Sequence, residues 1–135
     1  MRATARRTAA HFADAKGLNC SGLGWGDEEA RRLAAALEHA TAQGALKALE
    51  ELHLYSNKIG DEGARHLGDA LARGAAPALE SLDLRHNQIW DEGVRHLADA
   101  LARGAAPTLK QLDLAGNPAS DAAQQAATDA LKDRK

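Results

Sequence analysis

Two consecutive stretches of 30 residues decide the fold: LEELHLYSNKIGDEGARHLGDALARGAAPA (Leu49–Ala78) and LESLDLRHNQIWDEGVRHLADALARGAAPT (Leu79–Thr108). Only nine of the 30 aligned positions differ. A partial copy, LKQLDLAGNPASDAAQQAATDAL, follows from Leu109 to Leu131, and a more divergent one, LNCSGLGWGDEEARRLAAAL, precedes them from Leu18 to Leu37. Self-similarity at a fixed period indicates one structural unit that is stacked several times.

Each unit opens with a predicted strand. Leucine occupies the first, fourth and sixth positions of three copies: Leu49, Leu52, Leu54, Leu79, Leu82, Leu84, Leu109, Leu112 and Leu114. The last two leucines of each set alternate with polar residues, which is the period of a half-buried strand. At the ninth position stands an asparagine, and the three asparagines are expected to hydrogen-bond neighbouring backbone in the turn: Asn57, Asn87 and Asn117.

A helix is predicted after each strand. Asp61 and Asp91 are expected to cap free N–H groups of their own helices, and the adjacent glutamates complement the helix dipole. Arg73, Gly74 and Pro77 predict the helix end, since glycine suits a left-handed cap and proline cannot continue a helix. One apolar stripe recurs at helical spacing: Ala64, Leu67, Ala70 and Leu71.

A unit of strand, turn and helix cannot bury its leucine face alone, so the strands are expected to stack in parallel. The pattern LxxLxLxxNxI followed by xDEGxxxLxxAL resembles the leucine-rich repeat, specifically its ribonuclease-inhibitor-like subfamily. The resemblance implies an α/β fold: a right-handed solenoid with about four parallel strands on its concave face and helices on its convex face.

We predict a single domain over 1–135. Residues 1–16 are expected to form the helix of a partial repeat with Phe12 as its core anchor. Complete repeats follow at 17–48, 49–78 and 79–108, and a capping repeat at 109–135. The first complete repeat is longer, and its extra residues are expected in a loop around His39 to Gly44.

The flanking repeats depart from the pattern. In the first, Leu23 stands at the asparagine position, Cys20 replaces a leucine and Trp25 takes the isoleucine position. Because Cys20 replaces a core residue, it is expected to be buried and inert. In the last repeat three alanines replace Ile, Gly and Leu and predict a thinner capping unit: Ala119, Ala123 and Ala127.

Composition narrows the class of function. A net charge of -2 disfavours a nucleic-acid binder, which usually has a basic face. A single cysteine excludes an intrachain disulfide and agrees with a reducing, cytoplasmic location. No apolar run reaches the ~18 residues of a membrane span. The Arg-rich start, MRATARRTAAHFA, is read as a repeat helix, although a transit peptide has a similar composition.

Residues for catalysis or metal binding are not convincingly placed. His66 and His96 occupy one helical position in two repeats, so their recurrence reflects duplication. His53 and Asp83 can make a His–carboxylate contact, but no Ser or Cys nucleophile accompanies them, and a strand-face Ser81 lacks an oxyanion hole. The stretch GLGWG (22–26) lacks a complete phosphate-loop pattern and is interpreted as a turn. We therefore expect no enzyme, cofactor or metal.

The differences between the central repeats point to a binding surface. Four of the nine fall on or just after the outward strand face, whereas exposed helix positions are unchanged, so the concave face is expected to bind a partner. Tyr55 and Arg85 are expected to form a cation–π pair. Asp83 and Asp113 are expected to repel unless a cation lies between them, either a Lys or Arg of the partner or protonated His53. The predicted partner-binding residues are Asn19, Glu51, His53, Tyr55, Ser56, Ser81, Asp83, Arg85, His86, Gln111 and Asp113.

Trp90 replaces Gly60 and is either an exposed apolar contact or packed against a neighbouring repeat. The leading functional interpretation is a protein-binding module or scaffold that takes a protein partner and no nucleic acid, membrane or small-molecule substrate. Two alternatives stay open. One is a regulator of a small GTPase, because the repeats resemble those of Ran GTPase-activating proteins. The other is a fragment of a larger receptor, as in intracellular NOD-like receptors.

Overall fold

Strands and helices alternate along the computed structural model, which describes residues 16–132. The predicted N-terminal helix with Phe12, the alternative transit peptide and the last three residues lie outside this range. The elements are β1 (Gly17–Asn19), α1 (Asp27–Ala42), β2 (Glu51–His53), α2 (Asp61–Ala72), β3 (Ser81–Asp83), α3 (Asp91–Ala102), β4 (Gln111–Asp113) and α4 (Asp121–Lys132).

The four strands form one parallel sheet in chain order. Leu52 pairs in register with Leu18 on one side and with Leu82 on the other, and Leu82 pairs with Leu112. Each helix packs against the helix of the next repeat. The register follows the repeat spacing, so the predicted α/β solenoid with four parallel strands is confirmed.

The core lies between the sheet and the helices. Leu54, Leu84 and Ile89 are completely buried. The predicted helix stripe is also confirmed, with Ala64 at 0% and Leu67 at 2% exposure facing the strand leucines. The predicted helix ends hold as well, because Gly74 has a φ of 96°, which a residue with a side chain rarely adopts.

The extra length of the first repeat was expected in a loop, and this prediction is wrong. Helix α1 has 16 residues, whereas α2 and α3 have 12 each. Residues 38–42 are predominantly good helix formers, so they add a turn of helix. The helix ends just before Gly44, whose φ is 85°. The insertion therefore lengthens the convex side of the first repeat and leaves its strand register unchanged.

The asparagine ladder is confirmed, and it links the repeats. Asn87 Oδ1 accepts a hydrogen bond from Ile59 N at 3.0 Å, and its Nδ2 donates to Leu54 O and to Leu84 O at 2.9 and 3.1 Å. Asn87 is only 5% exposed. One amide side chain thus satisfies buried backbone groups of its own repeat and of the preceding one. Asn57 and Asn117 make the equivalent contacts.

The aspartates cap the next repeat, so the prediction that each caps its own helix is wrong. The N-cap of α3 is Trp90, which makes no side-chain cap bond, and its N–H donates to Asp61 Oδ1 at 2.7 Å. Aspartate stands one position past the N-cap, where its carboxylate reaches the neighbouring backbone. The same bond joins Gly60 N to Asp27 Oδ1 and Ser120 N to Asp91 Oδ1, both at 2.6 Å.

This second ladder explains the glycine of the DEG motif. A Cβ at Gly93 would lie 2.6 Å from Asp61 Oδ1 and 2.8 Å from Ile89 Cγ2. Gly63 is enclosed in the same way by Asp27 and Ile59. Glycine is therefore required by close approach between repeats.

Candidate functional site

The sheet face opposite the leucines presents the predicted columns of residues in register. Glu51 pairs with Ser81 and Ser81 with Gln111, while Gly17 precedes them in the column. The second column joins Asn19, His53, Asp83 and Asp113. Side chains alternate along a strand, so burying the central leucines turns these neighbours to the opposite face. The register is as predicted, and the role of these residues in binding stays a prediction.

The ion pair between Arg85 and Asp83 organises the middle of the face. Arg85 Nε lies 2.9 Å from Asp83 Oδ1 and Nη2 lies 2.7 Å from Oδ2, a bidentate geometry. The cation that pairs with Asp83 is therefore Arg85 of this chain, and not, as expected, a Lys or Arg of the partner or protonated His53. Asp83 itself is only 3% exposed, so the expectation that it forms part of the accessible surface is wrong.

Two opposing effects act on the pKa of Asp83. Burial raises it, because a carboxylate loses hydration in the protein interior. Hydrogen bonds from the Arg85 side chain and backbone outweigh burial and lower the pKa below its ordinary value. The pair is therefore fully charged at neutral pH and fixes the position of the guanidinium.

Tyr55 completes this arrangement. Arg85 Cζ lies 5.4 Å from the centre of the Tyr55 ring, which confirms the predicted cation–π pair. Tyr55 is half-buried, and its backbone N–H donates to Ser21 Oγ at 3.1 Å. The tyrosine and the arginine are therefore held in place before any partner arrives.

His53 lies between two carboxylates on the same face. Its Nε2 is 3.0 Å from Glu51 Oε1 and its Nδ1 is 3.9 Å from Asp83 Oδ2. Its ring meets that of Tyr55 edge-on, with 6.4 Å between the centres. Glu51 therefore gives His53 a hydrogen-bonding partner, and none of the contacts described for His53 within residues 16–132 is with a nucleophile.

Ser56 and His86 belong to the turns after the strands. Both are exposed and both have a φ of 57°, in the left-handed region. His86 lies over Gly116, where a Cβ would be 2.3 Å from His86 Nδ1. These two residues are therefore beside the cluster of His53, Tyr55 and Arg85 and not within it. Gly22 and Gly116, at the same repeat position, were the available signal for this turn.

Sequence reasoning missed the residues that immediately precede the strands. Glu50, Glu80 and Lys110 stand at one repeat position and line a shallow groove with the first column of the face. Lys110 Nζ is 4.0 Å from Glu80 Oε1. Glu50, Glu80 and Lys110 could have been identified from the sequence, because they occupy the same position in three repeats.

Other chemistry has little support in the part of the chain that the structure describes. Within residues 16–132, no three His, Cys, Asp or Glu side chains are grouped to hold a metal ion. No helix of this range has the length and apolar character needed to cross a membrane. Cys20 is buried as predicted, and burial raises the pKa of its thiol, which keeps the sulfur protonated.

Comparison with known proteins places this geometry among repeat folds. The family model described as "Leucine Rich repeat" matches residues 46–68 and 76–98. The solved structure of "Leiomodin-1 Actin-Binding Site 2 (ABS2)" is similar with a TM-score of 0.71 and 19% identity, covering 96% of this chain and 70% of that one. The tropomodulin C-terminal domain of Caenorhabditis elegans gives a TM-score of 0.58 and 18% identity, with 97% and 90% covered. No curated protein sequence matches the chain.

Proposed function

Since this chain is a leucine-rich-repeat protein, we propose that it is a protein-binding module whose concave sheet face holds the partner. The observation that carries the proposal is the contrast between the two central repeats. Most of their scaffold residues are the same, with ten of twelve helix positions unchanged, whereas His53, Tyr55 and Ser56 become Asp83, Arg85 and His86. Four of the nine differences lie on or just after the outward strand face, and such clustering is what diversification for recognition produces.

The Tyr55–Arg85 pair supports the proposal energetically. Tyrosine and arginine are enriched among residues that dominate binding energy. Arg85 is held by Asp83 and by the Tyr55 ring, so little side-chain freedom remains to be lost on binding. We infer that these two side chains contribute the largest share of the affinity at this face.

The dimensions of the sheet favour a short partner segment. Four parallel strands span only about 15 Å across the stack. Actin is the first partner to test, because one structurally similar protein region, in leiomodin-1, is named as an actin-binding site. We propose no catalytic step, cofactor or small-molecule substrate for this face. We also propose that the protein is located in the cytoplasm.

The test compares wild type with a Tyr55→Ala, Arg85→Gln double variant, in which glutamine leaves Asp83 one hydrogen-bond donor. The matched control is Arg95→Gln, because Arg95 is an exposed arginine on a helix. Binding to monomeric actin and to proteins captured from lysate is measured by biolayer interferometry. We expect the double variant to lose binding at least tenfold while the control keeps it. Equal loss in both, or loss in neither, contradicts the concave face as the site.

A second candidate, a regulator of a Ran-type GTPase, is favoured by the resemblance of the repeats to those of GTPase-activating proteins. Its test is the rate of GTP hydrolysis by such a GTPase with and without this chain. An unchanged rate of GTP hydrolysis rules out this candidate. The third candidate function, a part of a larger receptor, would then be tested by identifying the proteins captured from lysate.

A further inference from the structure

Trp90 is exposed without a structural reason. It is the residue before helix α3, and 60% of it is accessible. The corresponding residues of the other repeats are Gly26, Gly60 and Ser120. Its side chain makes no cap bond, and only its backbone N–H takes part in the aspartate ladder. The scaffold is therefore built equally well with a small residue here, and the indole remains available.

The edge of the solenoid that carries Trp90 is acidic. Because the strands are parallel, all four helices begin at this edge, and their first turns contain Asp27, Glu28, Glu29, Asp61, Glu62, Asp91, Glu92 and Asp121. The loops before the helices, at 20–26, 54–60, 84–90 and 114–120, contain two Lys or Arg residues, Lys58 and Arg85. Arg85 is held by Asp83, while arginines of the helices offset part of this charge, since Arg31 and Arg32 pair with Glu28 and Arg65 pairs with Glu62. The eight carboxylates still outnumber the cations at this edge, which are Lys58, Arg31, Arg32, Arg65 and Arg95.

Glu92 is the carboxylate nearest to Trp90 in sequence whose side chain has no hydrogen-bonding or ion-pair partner in the described structure. In the preceding repeat the equivalent Glu62 pairs with Arg65 at 2.7 Å. The side chain of Glu92, two residues after Trp90, is exposed and forms no hydrogen bond or ion pair with any residue in 16–132. Asp91 is engaged with Ser120. An exposed indole and an unpaired carboxylate therefore lie within one turn of chain.

We propose that Trp90 and Glu92, on the acidic edge, form a second interaction surface that takes an arginine- or lysine-rich segment of a partner protein. A cation over the indole face is attracted by its π-system, and the neighbouring carboxylates raise the local concentration of positive charge. The surface lies at the start of helix α3 and uses none of the residues predicted for the concave face, so it goes beyond the function proposed above. A second copy of this chain is the poorer occupant, because pairing through Trp90 brings two acidic edges together.

The test uses a labelled ten-residue peptide of alternating Gly and Arg, with fluorescence anisotropy as the readout at low salt. The variant is Trp90→Gly, which installs the residue that the preceding repeat carries at Gly60 and so keeps the fold. We expect it to weaken binding about threefold to thirtyfold, and Glu92→Gln to weaken it less. Leu23→Ala, which removes another exposed apolar side chain from a strand-to-helix loop, is the control and is expected to bind like wild type.

A peptide with citrulline in place of arginine separates cation recognition from general stickiness, and we expect it not to bind. Raising the salt concentration is expected to weaken the arginine peptide. The proposal is overturned if wild type does not bind the arginine peptide, or if Trp90→Gly binds it with the same affinity as wild type. It is also overturned if the citrulline peptide binds wild type with the same affinity as the arginine peptide. A wild-type dimer in analytical ultracentrifugation that Trp90→Gly abolishes would also overturn it, since the tryptophan would then serve self-association.

Discussion

Helices α2 and α3 have the same residue at ten of their twelve positions, whereas strands β2 and β3 share only the central leucine. Both helices face their neighbours along the stack through the same buried stripe. The strand residues beside the leucine face away from the core and are released from that constraint. The comparison separates residues that join repeats from residues that distinguish them, and each prediction below tests one side of that division.

The largest effect is expected at Asn87, which joins two repeats. In Asn87→Ala the Ile59 N–H loses its acceptor, while Leu54 O and Leu84 O keep bonds from Asn57 and Asn117. An unsatisfied buried donor and the lost amide bonds together cost about 3 kcal/mol of unfolding free energy. The measurement is urea denaturation followed by circular dichroism. The control is the exposed neighbour Gln88→Ala, which is expected to match wild type, and equal stabilities of all three proteins contradict the ladder's role.

The next effect is expected at Gly93, where alanine would ordinarily favour a helix. In Gly93→Ala the new Cβ meets Asp61 Oδ1 at 2.6 Å and the Asp61 backbone at 2.9 Å. Overpacking of this kind costs about 1–3 kcal/mol, which exceeds the gain in helix propensity. Thermal unfolding measures the result. The last repeat carries Ala123 at this position. There Ala119 replaces the branched Ile89, so the contact that a Cβ at Gly93 would make with Ile89 Cγ2 has no equivalent. A rise in melting temperature would show that the repeats do not approach closely here.

The asparagine and aspartate ladders show how much of the fold can be predicted from the sequence. Period and leucine spacing predicted the strands, their register and the asparagine ladder, because these depend on contacts that recur every 30 residues. The aspartate bonds were assigned to the wrong repeat, since local rules describe a helix and its own cap, whereas Asp61 bonds Trp90 across the stack. The loop predicted near 39–44 failed for a related reason: nothing in the pattern distinguishes an inserted loop from an inserted turn of helix.

The candidate site divides in the same way. The columns and the Tyr55–Arg85 pair followed from register alone, because residues in one column must be neighbours. The burial of Asp83 did not, since it depends on the rotamer with which Arg85 covers it. The left-handed turn at His86, in contrast, could have been inferred from Gly22 and Gly116, which occupy the same repeat position. Sequence therefore predicts which side chains meet at this face, and structure decides which of them remain accessible.

A smaller effect is expected from the ion pair on the variable face. The folded-state pKa of Asp83 is lowered, so the stability from the pair is present above the ordinary aspartate pKa and lost as pH falls through the lowered value. Arg85→Gln is expected to lower the unfolding free energy modestly at pH 7, because the guanidinium is exposed and solvent screens the pair. The gap between wild type and variant should shrink below about pH 4. Denaturation at pH 7 and pH 3 measures it, and a gap that is unchanged at pH 3 contradicts a charged pair.

The smallest effect, and the only stabilising one, is expected at Gly68. It lies inside α2, and the next repeat carries Ala98 at this position. A Cβ at Gly68 would lie 3.5 Å from His96 Cδ2 and from Leu97 Cδ2, which is ordinary contact. Gly68→Ala therefore gains about 0.5–1 kcal/mol from reduced freedom of the unfolded chain. Measured beside Gly93→Ala, the same substitution in two sister helices should move the melting temperature in opposite directions. A shift of the same sign in both would mean that helix propensity, and not the distance between repeats, determines which glycines this solenoid requires.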